Sequence, residues 1–211
     1  MRHDSRSCSP QGDPRQGFFE DLAGRWDRVG QDPGETVRQL AAHARLLGLQ
    51  PGQDLLEVGC GTGQISGWLA EQIAPGRLVA VDFAAAMLDQ ARAKHAQIEF
   101  RQVDVCCDPL GQRVFDTILC FHSFPHFRDQ AAALRNMAQA LRDAGRLLVM
   151  HLAGSAQINA FHTQVGGVVG HDHLPCDGAW EPLLAGAGLA REEFIDREGL
   201  FLLAASKRPV R

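Results

Sequence analysis

The chain has 211 residues, of which 45% are hydrophobic and 22% charged, with a formal net charge of −4. This length suits one domain with a full core, and the weak negative charge offers no basic surface, so we expect no nucleic-acid partner. No apolar run approaches the roughly 20 residues that span a bilayer, so we expect a cytoplasmic protein that does not insert into membranes. The sequence does not indicate an oligomeric state.

The N-terminal segment, residues 1–17, carries charge and proline but no apolar core. This composition predicts a disordered leader and excludes a signal peptide, so we expect the folded domain at residues 18–211. The first clear helix is predicted at residues 32–48. Asp32 can cap it, Pro33 suits its first turn and Gly48 ends it.

Apolar strands alternate with helical stretches through the middle of the chain. The strands are predicted at residues 54–58, 77–82, 98–103, 115–120 and 145–152. Near-continuous apolar strands separated by helices indicate a parallel sheet covered on both faces. Near the C-terminus, "REEFIDREGLFLLAAS" predicts a hairpin around Glu198 and Gly199. The predicted fold is one α/β domain, doubly wound and mostly parallel, with an antiparallel C-terminal hairpin.

A glycine-rich loop, "EVGCGTGQI", joins the first of these strands to a helix. Such a loop brings backbone N–H groups and the positive end of a helix dipole close to a ligand. The dinucleotide fingerprint GxGxxG lacks its third glycine in either register, because Gln64 and Ser66 stand in its place. No lysine follows the glycines, which excludes a phosphate-binding loop of the GxxxxGK type.

An acidic residue, Asp82, ends the next strand 19 residues beyond Gly63. At this position a carboxylate can accept hydrogen bonds from both hydroxyls of a ribose. The loop and the carboxylate together predict a site for a nucleoside without phosphates.

Five segments in chain order resemble the motifs of the class I S-adenosylmethionine-dependent methyltransferases: "EVGCGTG", "VAVDFAAAML", "RQVDV", "FDTILCFHSFPHF" and "LRDAGRLLVMHL". The resemblance spans about residues 18–207 and implies a Rossmann-like fold with S-adenosylmethionine as cofactor. It implies that Glu57 orients the glycine loop and the cofactor's amino end, that Asp82 holds the ribose and that Asp104 holds the adenine. The implied cofactor-binding residues are Glu57, Gly59, Cys60, Gly61, Thr62, Gly63, Asp82, Phe83, Met87, Asp104, Val105, Cys120 and Phe121.

The segment "FFEDLAGRWDRVGQDP" resembles the opening of methyltransferases of the ubiquinone and menaquinone biosynthesis type, the type 11 methyltransferases. A plain amphipathic helix explains Phe18 and Phe19 equally well. In either case Trp26 is a candidate to cover the cofactor.

Six of the nine histidines lie between residues 122 and 173, mostly in segments that follow strands, where this fold places its ligands. Three interpretations stay open for them. His126, His151 or His162 acts as a general base, because imidazole needs little adjustment near neutral pH. Alternatively, these three histidines and Asp172 hold a divalent metal that orients an acceptor oxygen. In the third interpretation the histidines are structural or solvated.

The sequence thus predicts a methyltransferase that transfers the methyl group of S-adenosylmethionine to a small-molecule acceptor, with a divalent metal as an open question. Two alternatives remain. One is a protein of the same fold that binds the cofactor or a metal without turnover. The other is a metalloid or thiol methyltransferase that uses Cys60 and Cys120.

Overall fold

The computed structural model describes residues 12–30 and 32–207. The strands in these ranges are β1 (Asp54–Val58), β2 (Arg77–Asp82), β3 (Glu99–Gln102), β4 (Phe115–Phe121), β5 (Leu141–His151), β6 (Leu189–Arg197) and β7 (Leu200–Lys207). The α-helices are α1 (Pro14–Leu22), α2 (Trp26–Val29), α3 (Pro33–Ala42), α4 (Ala44–Leu47), α5 (Ser66–Ile73), α6 (Ala85–Lys94), α7 (Gln130–Ala140), α8 (Ser155–Val165) and α9 (Asp177–Gly186).

The strands form one sheet in the order β3-β2-β1-β4-β5-β7-β6. The first five in this order pair in parallel, while β7 pairs antiparallel with both β5 and β6. This confirms the predicted doubly wound, Rossmann-like α/β sheet with an antiparallel C-terminal hairpin. The strand order reverses between β1 and β4, so loops leaving their carboxyl ends diverge and open a crevice there.

Alternating side chains of the central strands enter two cores, one on each face of the sheet. Leu56 of β1 packs in the core that contains Leu134 of α7 and Trp180 of α9. Its neighbour Leu55 packs in the other core, together with Leu69 of α5. Because both faces are covered, the near-continuous apolar pattern of the strands is explained.

The helix predicted at residues 32–48 forms with the expected ends. The Asp32 carboxylate accepts a hydrogen bond from the Glu35 N–H, Pro33 is the first helical residue, and Gly48 adopts a left-handed conformation with φ of 61°. The structure divides this helix into α3 and α4, because His43 leaves helical geometry.

The first helix begins at Pro14, inside the segment predicted to be a disordered leader. Asp13 caps it by accepting a hydrogen bond from the Arg15 N–H. Its Phe19 is buried against Met87 of α6 and Val169. The leader prediction is therefore wrong for residues 13–17, since this packing depends on distant residues, and residues 1–11 lie outside the described ranges. None of the described helices has the length and apolar character needed to cross a membrane.

Candidate functional site

A cavity opens at the carboxyl ends of the parallel strands, with about 700 Å³ of empty space when its open mouth is included. A concave site with a predominantly apolar lining is typical of small-molecule sites. Its lining residues are Asp13, Phe19, Trp26, Val58, Gly59, Gly61, Val81, Asp82, Phe83, Met87, Val103, Asp104, Val105, Cys106, His122, Ser123, His126, Phe127 and Arg128.

The glycine loop forms the floor of this cavity, and its backbone needs glycine. Gly59 and Gly61 have φ of 72° and 54°, in the left-handed region. A Cβ atom at Gly59 would lie 2.4 Å from Cβ of Ser123, which is closer than real side chains approach. Ser123 is itself fixed, because its hydroxyl donates a hydrogen bond of 2.6 Å to the Val58 carbonyl.

Asp82 presents a carboxylate beside the loop. Its Oδ2 accepts a hydrogen bond of 2.8 Å from the Gly61 N–H, and its Oδ1 accepts one of 2.9 Å from the Ala84 N–H. Burial raises the pKa of Asp82 to about 6, although these backbone donors oppose the shift. Each carboxylate oxygen can accept a second hydrogen bond, so the group retains acceptor capacity toward the cavity.

Glu57 lies behind the loop and does not line the cavity. Its Oε2 accepts a hydrogen bond of 2.6 Å from the Ser66 hydroxyl at the start of α5. Burial raises the pKa of Glu57 to about 8, so the side chain is mainly neutral at pH 7. This contact couples β1 to α5 and supports the predicted role in orienting the loop.

Asp104 lines the cavity as an ion-paired carboxylate. Its Oδ1 accepts a hydrogen bond of 2.9 Å from the Cys106 N–H, and Oδ2 pairs with the Arg128 guanidinium. The predicted adenine contact therefore lies next to a cation that sequence analysis missed. Arg128 directly follows the segment "FDTILCFHSFPHF" and belongs to none of the predicted motifs.

The N-terminal helices cover the cavity with aromatic side chains. The Phe19 ring makes edge-to-face contacts with the rings of Trp26, Phe83 and His126, at centroid distances of 5.8, 5.9 and 5.0 Å. The Glu20 carboxylate accepts hydrogen bonds from the Ala85 and Ala86 N–H groups at the start of α6. A carboxylate is favourable there because the helix N-terminus is electropositive.

A second set of contacts fixes α2 to the glycine loop. Asp27 accepts hydrogen bonds of 2.6 Å from the Thr62 hydroxyl and 3.0 Å from the Gln64 amide, and it pairs with Lys94 of α6. The prediction that Trp26 covers the site agrees with its place in the cavity wall.

Of the three histidines predicted to be catalytic, only His126 lines the cavity. Its Nδ1 lies 2.8 Å from Oδ2 of Asp172. The Nδ1 of His162 faces the backbone carbonyl of Asp172 instead. His151 is buried, and its Nε2 has no hydrogen-bond partner within the described chain. Burial and the neighbouring His122 lower the pKa of His151 well below its usual value.

The structure does not bring His126, His151, His162 and Asp172 together as ligands of one metal ion. Across residues 12–30 and 32–207, no group of three or more His, Cys, Asp or Glu side chains is placed to hold a metal ion. The Asp172 carboxylate is already occupied, because Arg15 donates to both of its oxygens at 2.8 and 3.0 Å from Nε.

About half of the predicted cofactor residues line the cavity. Those that do are Gly59, Gly61, Asp82, Phe83, Met87, Asp104 and Val105, and those behind the wall are Glu57, Cys60, Thr62, Gly63, Cys120 and Phe121. Sequence analysis did not include His122 and Ser123 among the site residues, although both directly follow β4. Their position directly after a strand could have identified them, because this fold binds ligands at the carboxyl ends of its strands. Asp13 and Phe127 do not directly follow a strand, so nothing in the sequence marked them as site residues.

Comparison with known families and curated proteins gives one consistent result. A family model described as a methyltransferase domain matches residues 55–145. The chain is 31% identical over 150 residues to the demethylmenaquinone methyltransferase of Deinococcus radiodurans, covering 66% of this chain and 61% of that protein. It is 34% identical over 148 residues to the malonyl-acyl-carrier-protein O-methyltransferase of Serratia marcescens, covering 66% and 53%. The chain thus spans between about half and three fifths of these relatives.

Solved structures share the fold at low sequence identity. A chain in the complex between the Haloferax volcanii Trm112 methyltransferase activator and a methyltransferase superposes with a TM-score of 0.74 at 17% identity, over 89% of this chain and 96% of that one. A TehB-like methyltransferase from Corynebacterium glutamicum superposes with a TM-score of 0.66 at 19% identity, over 91% and 99%. The sheet and its covering helices therefore have the same fold as these two structures.

Proposed function

Because the chain belongs to the class I S-adenosylmethionine-dependent methyltransferases, we propose that it binds S-adenosylmethionine in the cavity and methylates a small-molecule acceptor there. The observation that carries this proposal is the meeting of Gly59, Gly61 and the Asp82 carboxylate in one cavity wall. The bound cofactor supplies an activated methyl group. The protein supplies positioning and the exclusion of water, which are large effects in such displacements.

The cofactor end of the cavity fits an adenosyl group in chemical terms. Asp82 has acceptor capacity left for the ribose hydroxyls, and the missing Cβ atoms at Gly59 and Gly61 allow close approach of a ligand. We assign Asp104 to the adenine amino group, with Phe83 beside the adenosine. Glu57 acts from behind the loop, through Ser66, and we assign it no direct contact.

A small acceptor is supported by the covered cavity and by the relatives. The N-terminal helices close part of the opening through Phe19 and Trp26, which leaves a site of molecular rather than macromolecular size. The relatives are named for demethylmenaquinone and for the malonyl group of an acyl-carrier protein. The net charge of −4 also argues against nucleic acid as a substrate. A cytoplasmic location is part of this proposal.

The alternative that uses Cys60 and Cys120 for thiol or metalloid chemistry has no support at the cavity. Cys60 and Cys120 do not line it. Burial raises the pKa of both thiols well above the usual value, so both stay protonated. A protonated, enclosed thiol is a poor nucleophile.

The test is turnover of methyl-labelled S-adenosylmethionine by the purified protein with a panel of hydroxyl, amine and thiol acceptors. We expect S-adenosylhomocysteine and one labelled product in equal amounts, measured by mass spectrometry. Tight cofactor binding without turnover across a broad panel would favour the binding-only alternative. Failure to bind either form of the cofactor would overturn the proposal.

A further inference from the structure

Three segments that are distant in sequence meet at one buried carboxylate beside the cavity. The Asp172 side chain is fully enclosed, with 0% of its surface exposed. Its Oδ2 lies 2.8 Å from Nδ1 of His126, and its Oδ1 accepts from Nε and Nη2 of Arg15 at 2.8 and 2.6 Å. Arg15 is 157 residues away along the chain and His126 is 46 residues away, so only the fold creates this cluster.

Asp172 decides which nitrogen of His126 carries the ring proton. Burial alone would raise the pKa of Asp172, but the hydrogen bonds from His126 and Arg15 outweigh it and the pKa is lowered. An ionised carboxylate only accepts hydrogen bonds, so Nδ1 of a neutral His126 is the protonated nitrogen. The lone pair therefore lies on Nε2.

The His126 ring lies at the cavity. The ring lines the cavity wall and is held between the Phe19 edge at 5.0 Å and the His162 ring at 4.8 Å. Its Nε2 makes no hydrogen bond to any part of the chain that the structure describes. A positioned ring nitrogen with an unused lone pair is what a general base requires.

The neighbouring histidines do not meet this requirement. His122 also lines the cavity, but its Nε2 accepts a hydrogen bond of 3.3 Å from the Leu152 N–H. Burial, with a smaller contribution from His126, lowers the pKa of His122 to about 4, which makes it a weak base. His151 and His162 lie outside the cavity wall.

We infer that Asp172 and Arg15 are positioning residues that hold His126 as a general base, and that the methyl acceptor is a hydroxyl group whose proton His126 removes. This inference rests on the proposed methyl transfer and adds the acceptor class to it. The acceptor is then an alcohol, a phenol or an enol.

The reaction balances with these groups alone. Nε2 of His126 takes the hydroxyl proton while the acceptor oxygen forms a bond to the methyl carbon. The carbon–sulfur bond breaks and leaves its electron pair on sulfur, giving neutral S-adenosylhomocysteine and a methyl ether. The positive charge passes from the sulfonium to the imidazolium, which Asp172 stabilises and which returns its proton to solvent.

Among oxygen and sulfur acceptors, a hydroxyl is the one that most needs such a base. A phenol has a pKa of about 10, so little of it is ionised near neutral pH. A carboxylic acid, with a pKa of about 4, is already an anion, and a thiol at about 8.5 is partly ionised. A base held by a buried carboxylate has little to add for either of these classes.

The test uses Asp172→Asn, which keeps the size of the side chain and removes its charge. Two nitrogens of Arg15 donate to Oδ1, so the one amide oxygen should stay with Arg15 and the amide N–H should face His126. This arrangement moves the proton of the neutral ring to Nε2 and removes the base. Long-range proton–nitrogen NMR of the imidazoles reads the tautomer directly, with S-adenosylhomocysteine added and at alkaline pH.

We expect the Nδ1–H tautomer of His126 in the wild type and the Nε2–H tautomer in Asp172→Asn. The matched control is Asp116→Asn, which also removes a carboxylate paired with an arginine, Arg142, at the opposite edge of the sheet. It should keep the wild-type tautomer. An Nε2–H tautomer in the wild type, or an unchanged tautomer in Asp172→Asn, overturns the inference. If Asp172→Asn does not fold, the wild-type tautomer alone decides.

Turnover separates this inference from the proposed function. With catechol as the hydroxyl acceptor at neutral pH, kcat should fall by about 100- to 10,000-fold in Asp172→Asn. The KM for the cofactor should stay the same, because Asp172 does not line the cavity. Equal kcat in the variant and the wild type overturns the base assignment and leaves methyl transfer intact. A wild type that does not bind S-adenosylhomocysteine contradicts the proposed function itself.

Discussion

The two ends of the cavity are built in different ways. At the cofactor end, Gly59 and Gly61 lie in the loop after β1 and Asp82 ends β2, and their contacts run through neighbouring backbone. At the acceptor end, His126 depends on Asp172, and Asp172 depends on Arg15 across 157 residues of sequence. The first end is fixed by strand geometry and the second by a few long-range polar contacts, so substitutions should affect them differently.

The largest effect is expected at the cofactor end, from Gly59→Ala. The φ of 72° and the 2.4 Å approach to Ser123 both oppose a side chain there. Left-handed strain and overpacking together should lower the free energy of unfolding by about 2 to 5 kcal/mol. Urea denaturation measures this loss, and cofactor binding should be abolished with it.

The control for this variant is Gly199→Ala in the β6–β7 turn. Gly199 also has a positive φ, of 77°, but a Cβ atom there would meet nothing within 4 Å. It should lose only the strain contribution, about 1 to 2 kcal/mol. Equal losses at the two glycines would mean that the close approach to Ser123 has no energetic weight.

A smaller effect, measured on binding, is expected from Asp82→Asn. The loss of charge-assisted hydrogen bonds to the ribose should weaken S-adenosylmethionine by about 1.5 to 3 kcal/mol, measured by calorimetry near neutral pH. Asp82→Asn and Asp172→Asn together distinguish the two ends of the cavity. Asp82→Asn should change affinity, whereas Asp172→Asn should change kcat alone. Unchanged affinity in Asp82→Asn would contradict the ribose assignment.

The pH dependence of Asp82 provides an internal check on the same variant. Burial raises the pKa of Asp82 to about 6, and only the ionised form accepts from both hydroxyls without donating. Wild-type affinity should therefore fall as the pH drops below about 6. Asp82→Asn should lack this fall between neutral and acidic pH.

At a fixed neutral pH the smallest effect is expected from Glu57→Gln, which tests the interior behind the loop. Burial raises the pKa of Glu57 from 4.5 to about 8, so the folded state holds a proton that the unfolded state has lost at neutral pH. The resulting stability is complete below pH 4.5 and is lost as the pH rises toward about 8, at roughly 1.4 kcal/mol per pH unit. Thermal denaturation across this pH range should show the loss in the wild type and not in Glu57→Gln. An identical decline in both proteins would assign it to another group.

The sequence was sufficient to predict where Gly59, Gly61 and Asp82 lie relative to the strands, because its signals there are local. The bounds of β1 and β2 were predicted to the residue, and Asp82 was placed by its position at a strand end. The acceptor end could not be predicted in the same way. Asp172 resembled a metal ligand because histidines surround it in sequence, but Arg15 occupies its carboxylate.

Burial explains why His151 does not line the cavity, although it was predicted as a catalytic residue. His151 ends β5, a position that suggested access to ligands, but β7 pairs with this strand and Phe201 packs at 6.1 Å from the imidazole ring. The hairpin was predicted, but the side chains that it covers depend on the pairing register between β7 and β5. Strand register and long-range ion pairs depend on the complete tertiary structure and are not visible in local sequence patterns.

The most direct test of the account is to map S-adenosylhomocysteine onto the chain by backbone amide NMR of the wild type. We predict saturable shifts that are largest at Gly59, Gly61 and Ala84, because these groups surround the Asp82 carboxylate. The amide resonances of Gly52 and Gly145, which lie at the opposite end of the strands, should not shift. Shifts centred on that opposite end, or no shifts at saturating ligand, would contradict the claim that this cavity holds the methyl donor.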